Sequence, residues 1–165
     1  MIVALDADVL IYATKPGHTL GTKVANLFQN SIEDVTEPQS ARILIGSALL
    51  VPELLIKPTR QGQLTEFRSL SSFLGKIQLH PFDTKLAIKA VHLGSKYGLR
   101  TADAAHLATA VDGGADYFLT NNRKDFPKTI SETRIIYPTD LPLNLDIATL
   151  PSRGVIVTNE IVESS

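Results

Sequence analysis

Short, mostly apolar runs recur along this chain with helix-like stretches between them, and that alternation restricts its fold more than any other feature. The runs are Ile2–Leu5, Ile43–Ile45, Ile77–Leu79, Tyr117–Leu119 and Arg134–Tyr137. Runs this short read as strands, and one that is apolar throughout, such as Ile2–Leu5, reads as buried on both faces. Between them, Leu20, Val24, Leu27 and Phe28 recur at helical spacing within Thr19–Phe28, and Leu64, Phe67, Leu70 and Leu74 mark an amphipathic helix. Glu33–Gln39, polar and containing Pro38, reads as a loop. Ala48–Lys57 reads as a helix that Pro52 kinks or restarts in its first turn, with Gly46-Ser47 supplying the turn and N-cap before it. Asp83 is the expected N-cap of Thr84–Tyr97, which Gly98 ends. Thr101 is expected to cap Ala102–Val111, stopped by Gly113-Gly114. Strands alternating with helices in this way predict an α/β protein, a parallel sheet covered on both faces.

Composition narrows the class. The length of 165 residues suits one domain, and 44% hydrophobic residues against 20% charged exclude a disordered chain. Mean hydropathy is +0.08. Sixteen Lys and Arg against 17 Asp and Glu give a net charge of −1, which excludes a grip on nucleic acid by bulk charge but not a local basic face. The absence of cysteine removes disulfides, zinc–thiolate sites and thiol nucleophiles. The 4 histidines, at positions 18, 80, 92 and 106, are scattered. The apolar N-terminus carries Asp6 and Asp8 with no Lys or Arg before them, unlike an export signal. The longest apolar stretches fall short of the roughly 20 residues of a membrane helix. A soluble, cytoplasmic protein with no membrane part is expected. Residues 1–137 are expected to form the domain, and 138–165 a meandering extension in which Val155–Val157 can add an edge strand or bind a partner.

In an open α/β sheet the site lies beyond the carboxyl ends of the strands. Asp6 ends the first run, Glu53 lies on the helix after the second, and Asp103 falls in the first turn of a helix, where the macrodipole favours a negative charge. For Asp103 plain helix capping explains the residue equally well. A carboxylate inside MIVALDADVLIYA costs several kcal/mol unless something pairs with it. A bound cation is one compensation, a salt bridge or a strand-end cap another. With no Cys to hand, oxygen ligands point to Mg²⁺ or Mn²⁺ rather than Zn²⁺. Asp8 would project with Asp6 if the strand continued, and elsewhere if it had ended. His106, three residues after Asp103, reads as a packing residue with one satisfied hydrogen bond rather than as a general base. Asp116, at a strand entry, reads as structural.

Three segments match a known family in order and spacing. LDADVLIYA resembles the opening motif of PIN-domain proteins, SALLVPELL the segment carrying their second acid, and YGLRTADAAHLATAVDGGADYFLTNN the signature around their third. The resemblance runs from Ile2 to about Phe126, and the bare layout is similar to VapC-type toxins, the ribonuclease halves of toxin–antitoxin pairs. It implies a Rossmann-like three-layer sandwich with a mainly parallel central sheet flanked by helices, and a metal-dependent endoribonuclease. By position, Asp6 and Asp103 would ligate Mg²⁺ or Mn²⁺, with Glu53 a ligand or holding a water. The family usually carries a fourth acid after the last core strand, where this chain has Asn122 in Thr120-Asn121-Asn122. An amide oxygen ligates a hard cation without adding charge, so weaker metal binding is expected. Asp125 can take over if the loop curls back. Thr120 and Asp8 are candidates for contacts just outside the metal. Arg100, Arg123 and Lys124 are candidates for the RNA backbone, or ordinary solvated charges. The resemblance also implies a cognate antitoxin, and the net charge favours a homodimer that aligns local basic strips.

Two other functions stay open. Asp6-Ala7-Asp8 also fits the nucleophile and acid of a haloacid-dehalogenase-type phosphatase, although Leu10 stands where that family expects Thr. A PIN-like fold kept for partner binding, with cleavage weakened or lost, would explain Asn122. Neither the RNA target nor the choice between one metal and two is legible in the sequence.

Overall fold

A computed structural model describes residues 1–15, 17–28 and 42–141. Strand β1 (Ile2–Leu5) lies at the centre of a five-stranded sheet. After it come α1 (Ala7–Ala13), α2 (Thr19–Asn26), β2 (Ile43–Ser47), α3 (Leu50–Arg60), α4 (Leu64–Leu74) and β3 (Gln78–His80). The second half runs α5 (Thr84–Tyr97), α6 (Thr101–Asp112), β4 (Tyr117–Leu119), β5 (Arg134–Ile136) and a 3-10 turn at Pro138–Asp140. Strand order is β3-β2-β1-β4-β5, and every pairing is parallel. This is the α/β architecture with a parallel central sheet flanked by helices that the sequence leads one to expect.

The period-two alternation of β1 divides the interior into two cores. Val3 and Leu5 face one side and pack with Val9 and Leu10 of α1, Val24 of α2, Leu54 of α3 and Leu70 of α4. Ala4 faces the other, with Leu86 and Leu93 of α5, Leu107 of α6, and Phe118 and Phe126. Small residues set two of the approaches. A Cβ at Gly21 would lie 2.1 Å from the Tyr12 carbonyl oxygen, so α1 and α2 touch only because that position is glycine. Gly98 stops α5 at φ 66°, a conformation that costs other residues more.

Several local expectations need correction. Gly46 and Ser47 extend β2 instead of forming a turn, and the α3 N-cap is Leu49, with no side-chain cap bond; Ser47 Oγ does accept from Leu49 N at 3.2 Å. The helix runs past Lys57 to Arg60 with a buried Pro58 inside it, while Pro52 sits in its first turn, where a missing N–H costs little. Thr101 is the first residue of α6 rather than its cap, a place taken by Arg100. Of the two readings left open for Asp8, the structure takes the second: the strand has ended and Asp8 lies on α1. Asp83 caps α5 as predicted, accepting from Leu86 N at 2.9 Å.

The beginning of the extension packs against the domain. Leu141 is buried, and Lys23 Nζ of α2 donates to its carbonyl at 2.6 Å. Glu33–Gln39 and Val155–Val157 lie outside the described residues. Among the described residues no helix is long and apolar enough to cross a membrane.

Candidate active site

The chain winds outward from β1 through β2 to β3, then returns to the other side of β1 as β4. The reversal falls between β1 and β4, and ligands of open α/β sheets bind past the carboxyl ends of the strands at such a point. Leu5 and Leu119 are in register across it, so the next residues, Asp6 and Thr120, meet. Asp6 N donates to the Leu119 carbonyl at 3.0 Å, and Thr120 Oγ1 donates to Asp6 Oδ2 at 2.7 Å. The other carboxylate oxygen caps α1, accepting from Ala7 N at 2.8 Å. Asp6 is 5% exposed. Being both strand end and helix cap, it has its direction fixed by backbone on both sides.

Asp8 follows in the first turn of α1. Both its oxygens receive the Asn121 N–H, at 3.2 and 3.1 Å, which ties α1 to the loop after β4. Asp103, in the first turn of α6, accepts from Arg100 Nε at 3.2 Å, and the same guanidinium reaches Asp125 at 3.9 Å. Glu53, in the first turn of α3, turns its Oε2 to His106 Nε2 at 2.7 Å. His106 is buried one turn beyond Asp103 on α6, and its Nδ1 has no partner.

Asn122 is committed to its own loop. Its N–H donates to Thr120 Oγ1 at 3.0 Å, its Nδ2 to Asp125 Oδ2 at 2.8 Å, and its Oδ1 accepts from Asp125 N at 3.2 Å. The loop therefore curls back, and it pairs Asn122 with Asp125. Arg123 stacks over Tyr137 and donates to Thr139 Oγ1, while Lys124 is exposed. Asp116 accepts from Ile2 N at 2.8 Å and so pins the entry to β1.

Burial raises the Asp6 pKa above its ordinary value, against the pull of His106, Thr120 and Ala7 N–H. Asp8 is pushed up to about 7 by burial and then by the Asp6 charge, with Asp103 adding a little. Burial opposes charge on His106, yet the Glu53 hydrogen bond and the charges of Asp6, Glu53 and Asp103 outweigh it and raise its pKa. Among the described residues no Lys or Arg forms an ion pair with Asp6 or Asp8. The imidazole of His106 is the positive group nearest in effect to Asp6.

In kind, these donors fit a hard divalent cation. Asp6 and Asp8 are desolvated carboxylates that repel one another and, among the described residues, have no Lys or Arg partner. As they stand, each is turned to a protein partner, and among the described residues no three acidic or histidine side chains already form a metal-holding group. The sequence pointed to Asp6, Glu53 and Asp103; the structure connects Asp6 and Asp103 by mutual electrostatics and joins Glu53 to them through His106. That link lies across 53 positions of sequence, and only the i, i+3 spacing of Asp103 and His106 hinted at it. The Asn121 main-chain donor left no signal, because a backbone N–H carries no residue identity.

Residues 3–130 match the family model of the PIN domain. No curated protein sequence matches the chain. Among solved structures, the VapBC2 complex of Rickettsia felis, bound to a DNA fragment from its promoter, is similar at TM-score 0.62 and 17% identity, covering 83% of this chain and 98% of that one. A toxin–antitoxin complex from Klebsiella pneumoniae gives 0.60 and 19%, covering 82% and 97%. VapC20 of Mycobacterium tuberculosis, a sarcin-ricin loop cleaving toxin, gives 0.57 and 12%, covering 80% and 98%.

Proposed function

The chain belongs to the PIN domain family, and from that premise we propose that it is a metal-dependent endoribonuclease, hydrolysing RNA phosphodiester bonds as the toxin half of a toxin–antitoxin pair. The observation that carries this reading is the buried Asp6 with the half-buried Asp8 beside it, held at the sheet's reversal point with, among the described residues, no Lys or Arg paired to either. A fold gains nothing from such charges alone, since burying them unpaired costs several kcal/mol. A cation arriving with substrate makes the same feature productive.

In this reading Asp6, Asp103 and Glu53 hold Mg²⁺ or Mn²⁺. The bound cation would lower the pKa of a water and offset charge developing on the phosphate oxygens. The protein's own contribution is orientation. Ala7 N–H and the Thr120 hydroxyl fix the Asp6 carboxylate from two sides. Glu53 Oε2 is held by His106, which leaves the other carboxylate oxygen to take a cation or a water. Asp8 and Asn121 keep the β4 loop against α1, and Asn122 with Asp125 shapes its far side. Arg100, which is paired with Asp103, and Lys124, just after the β4 loop, are exposed cations that could take RNA backbone phosphates.

Support for the toxin role comes from the solved relatives, of which two are toxin–antitoxin complexes and one an RNA-loop-cleaving toxin. The partners in this reading are RNA, a cognate antitoxin and a second copy of the chain, in the cytoplasm. A second reading, a PIN fold kept for partner binding, is favoured by one observation: Asn122 spends its side chain on Asp125 and adds no charge to the site.

Cleavage of a fluorogenic RNA panel with Mg²⁺, with Mn²⁺ and with EDTA, beside an identically purified Asp6→Asn variant, tests the proposal. Metal-dependent cutting lost in the variant is expected. Cutting that survives EDTA and the substitution equally would overturn it, and a folded protein that cuts none of a panel including structured RNAs would move the binding reading ahead.

A further inference from the structure

The His106–Glu53 contact ties α6 to α3 at the site, and nothing in the metal-ligand assignment requires it. The His106 side chain is 1% exposed, whereas the Glu53 side chain is 40% exposed. A glutamate on the outer turn of a helix has three rotatable side-chain bonds and ordinarily samples many positions in water. Here one of its oxygens is seated on a ring that cannot move, because α6 is buried on both sides of it: Ala105 and Leu107 are each 0% exposed. The same ring shares its helix face with Asp103 one turn earlier and is electrostatically coupled to Asp6. It therefore touches or faces all three acids while belonging to none of the ligand positions. Burying a histidine with its Nδ1 unsatisfied carries a cost that an apolar residue at this place would avoid.

We propose that His106 is the positioning residue of the site: its Nε2–H holds Glu53 Oε2 at 2.7 Å, so that the α3 carboxylate is tied to the helix that carries Asp103 before any cation binds. This deepens the metal-site reading and rests on it. The ring does not touch substrate and takes no proton from it. Its work is to remove the freedom of Glu53 before the cation arrives, as partners behind metal ligands do elsewhere, where their loss typically costs 10–100-fold in affinity, an order-of-magnitude range.

The test is Mn²⁺ affinity by isothermal titration calorimetry, with thermal midpoints recorded on the same samples. The set comprises wild type, Asp6→Asn, Glu53→Gln, His106→Leu, His106→Gln and the double variant His106→Leu/Glu53→Gln. His106→Leu should weaken Mn²⁺ binding by about tenfold. The double variant should bind no more weakly than Glu53→Gln alone, because the ring acts through that carboxylate. His106→Gln, whose amide N–H can reach Glu53, should recover most of the loss, a rescue that mere filling of the core would not produce. It also keeps the inference open to refutation if the leucine variant fails to fold. Should Asp6→Asn and Glu53→Gln weaken Mn²⁺ while both His106 variants bind as wild type, the positioning role is wrong and the metal site stands. Multiplying losses in the double variant would likewise overturn it. A wild type that binds no Mn²⁺, or acid variants that bind it unchanged, would take down the metal site and this inference together.

Discussion

The carboxylates at the end of β1 and that of Glu132 are both drawn out of water, yet they end in opposite states. Burial works against charge on Glu132, but hydrogen bonds from Lys96 Nζ and Tyr97 Oη outweigh it and bring its pKa down to about 2. At Asp6 and Asp8 burial wins, and Asp8 rises to about 7. The difference is the partner: Glu132 has a lysine at 2.7 Å, whereas Asp6 has a hydroxyl and a backbone N–H, and Asp8 a backbone N–H. A carboxylate kept for the fold is given its cation by the chain. The carboxylates of Asp6 and Asp8 are oriented by neutral donors and, among the described residues, are given no Lys or Arg partner.

That contrast can be broken in several places. The largest effect is expected for Asp6→Asn, which should lower metal-dependent RNA cleavage by at least about a hundredfold. The same change should raise the melting temperature of the metal-free protein by on the order of 5 °C, because asparagine still caps α1 and the buried charge is gone. Lowered cleavage together with lowered stability would mean that Asp6 is a fold residue like Glu132.

Next in size is a pH effect. Folded Asp8 holds its proton to about pH 7, against an ordinary value of 3.8, so the folded state binds more protons than the unfolded one between those limits. Stability of the metal-free protein must then fall as pH rises through that window. His106 acts in the same direction, since its raised pKa gives stability that is present below its ordinary 6.5 and lost as pH rises. Thermal melts in EDTA should show a higher midpoint at pH 5 than at pH 8, and Asp8→Asn should flatten the difference. A midpoint that climbs with pH would contradict the assignment. Glu132 has the reverse sign, its contribution being present above about pH 4.5 and lost as pH falls toward 2.

The smallest effect belongs to that structural pair. Glu132→Gln should shift the melting temperature by less than about 3 °C, since Lys96 faces solvent, and should leave RNA cleavage unchanged. A loss of cleavage in this variant would erase the distinction between the two regions.

Most of the scaffold was legible because burial writes it into residue type. Ile2–Leu5 and Tyr117–Leu119 are apolar throughout and became inner strands; Asp83 and Gly98 bound α5 as caps that need no tertiary partner. The misreadings came where local preference met tertiary demand. Gly46-Ser47 looked like a turn but continues β2, whose parallel bonding to β3 reaches Ser47. The helix read as ending at Lys57 runs on to Arg60, with Pro58 buried inside it. In the site, Asp6 was readable because a charge inside an apolar run needs a reason. Asp8 was not, since its role depends on whether the chain turns helical at Ala7. The Glu53–His106 bond and the Asn122–Asp125 pairing are side-chain choices made after folding, and no spacing rule encodes the first.

The central claim is that the charge deficit at Asp6 and Asp8 is reserved for a divalent cation. Its most direct measurement is the thermal midpoint of the wild type and of Asp6→Asn, each with EDTA and with Mn²⁺ titrated to saturation at pH 8. An ion that binds only the folded state at a hundred times its dissociation constant adds about 2.7 kcal/mol. The account predicts a Mn²⁺-dependent rise in the wild type of several degrees that is absent from the variant, even though the variant starts from the higher midpoint in EDTA. Equal rises in both proteins, or none in the wild type, would contradict it.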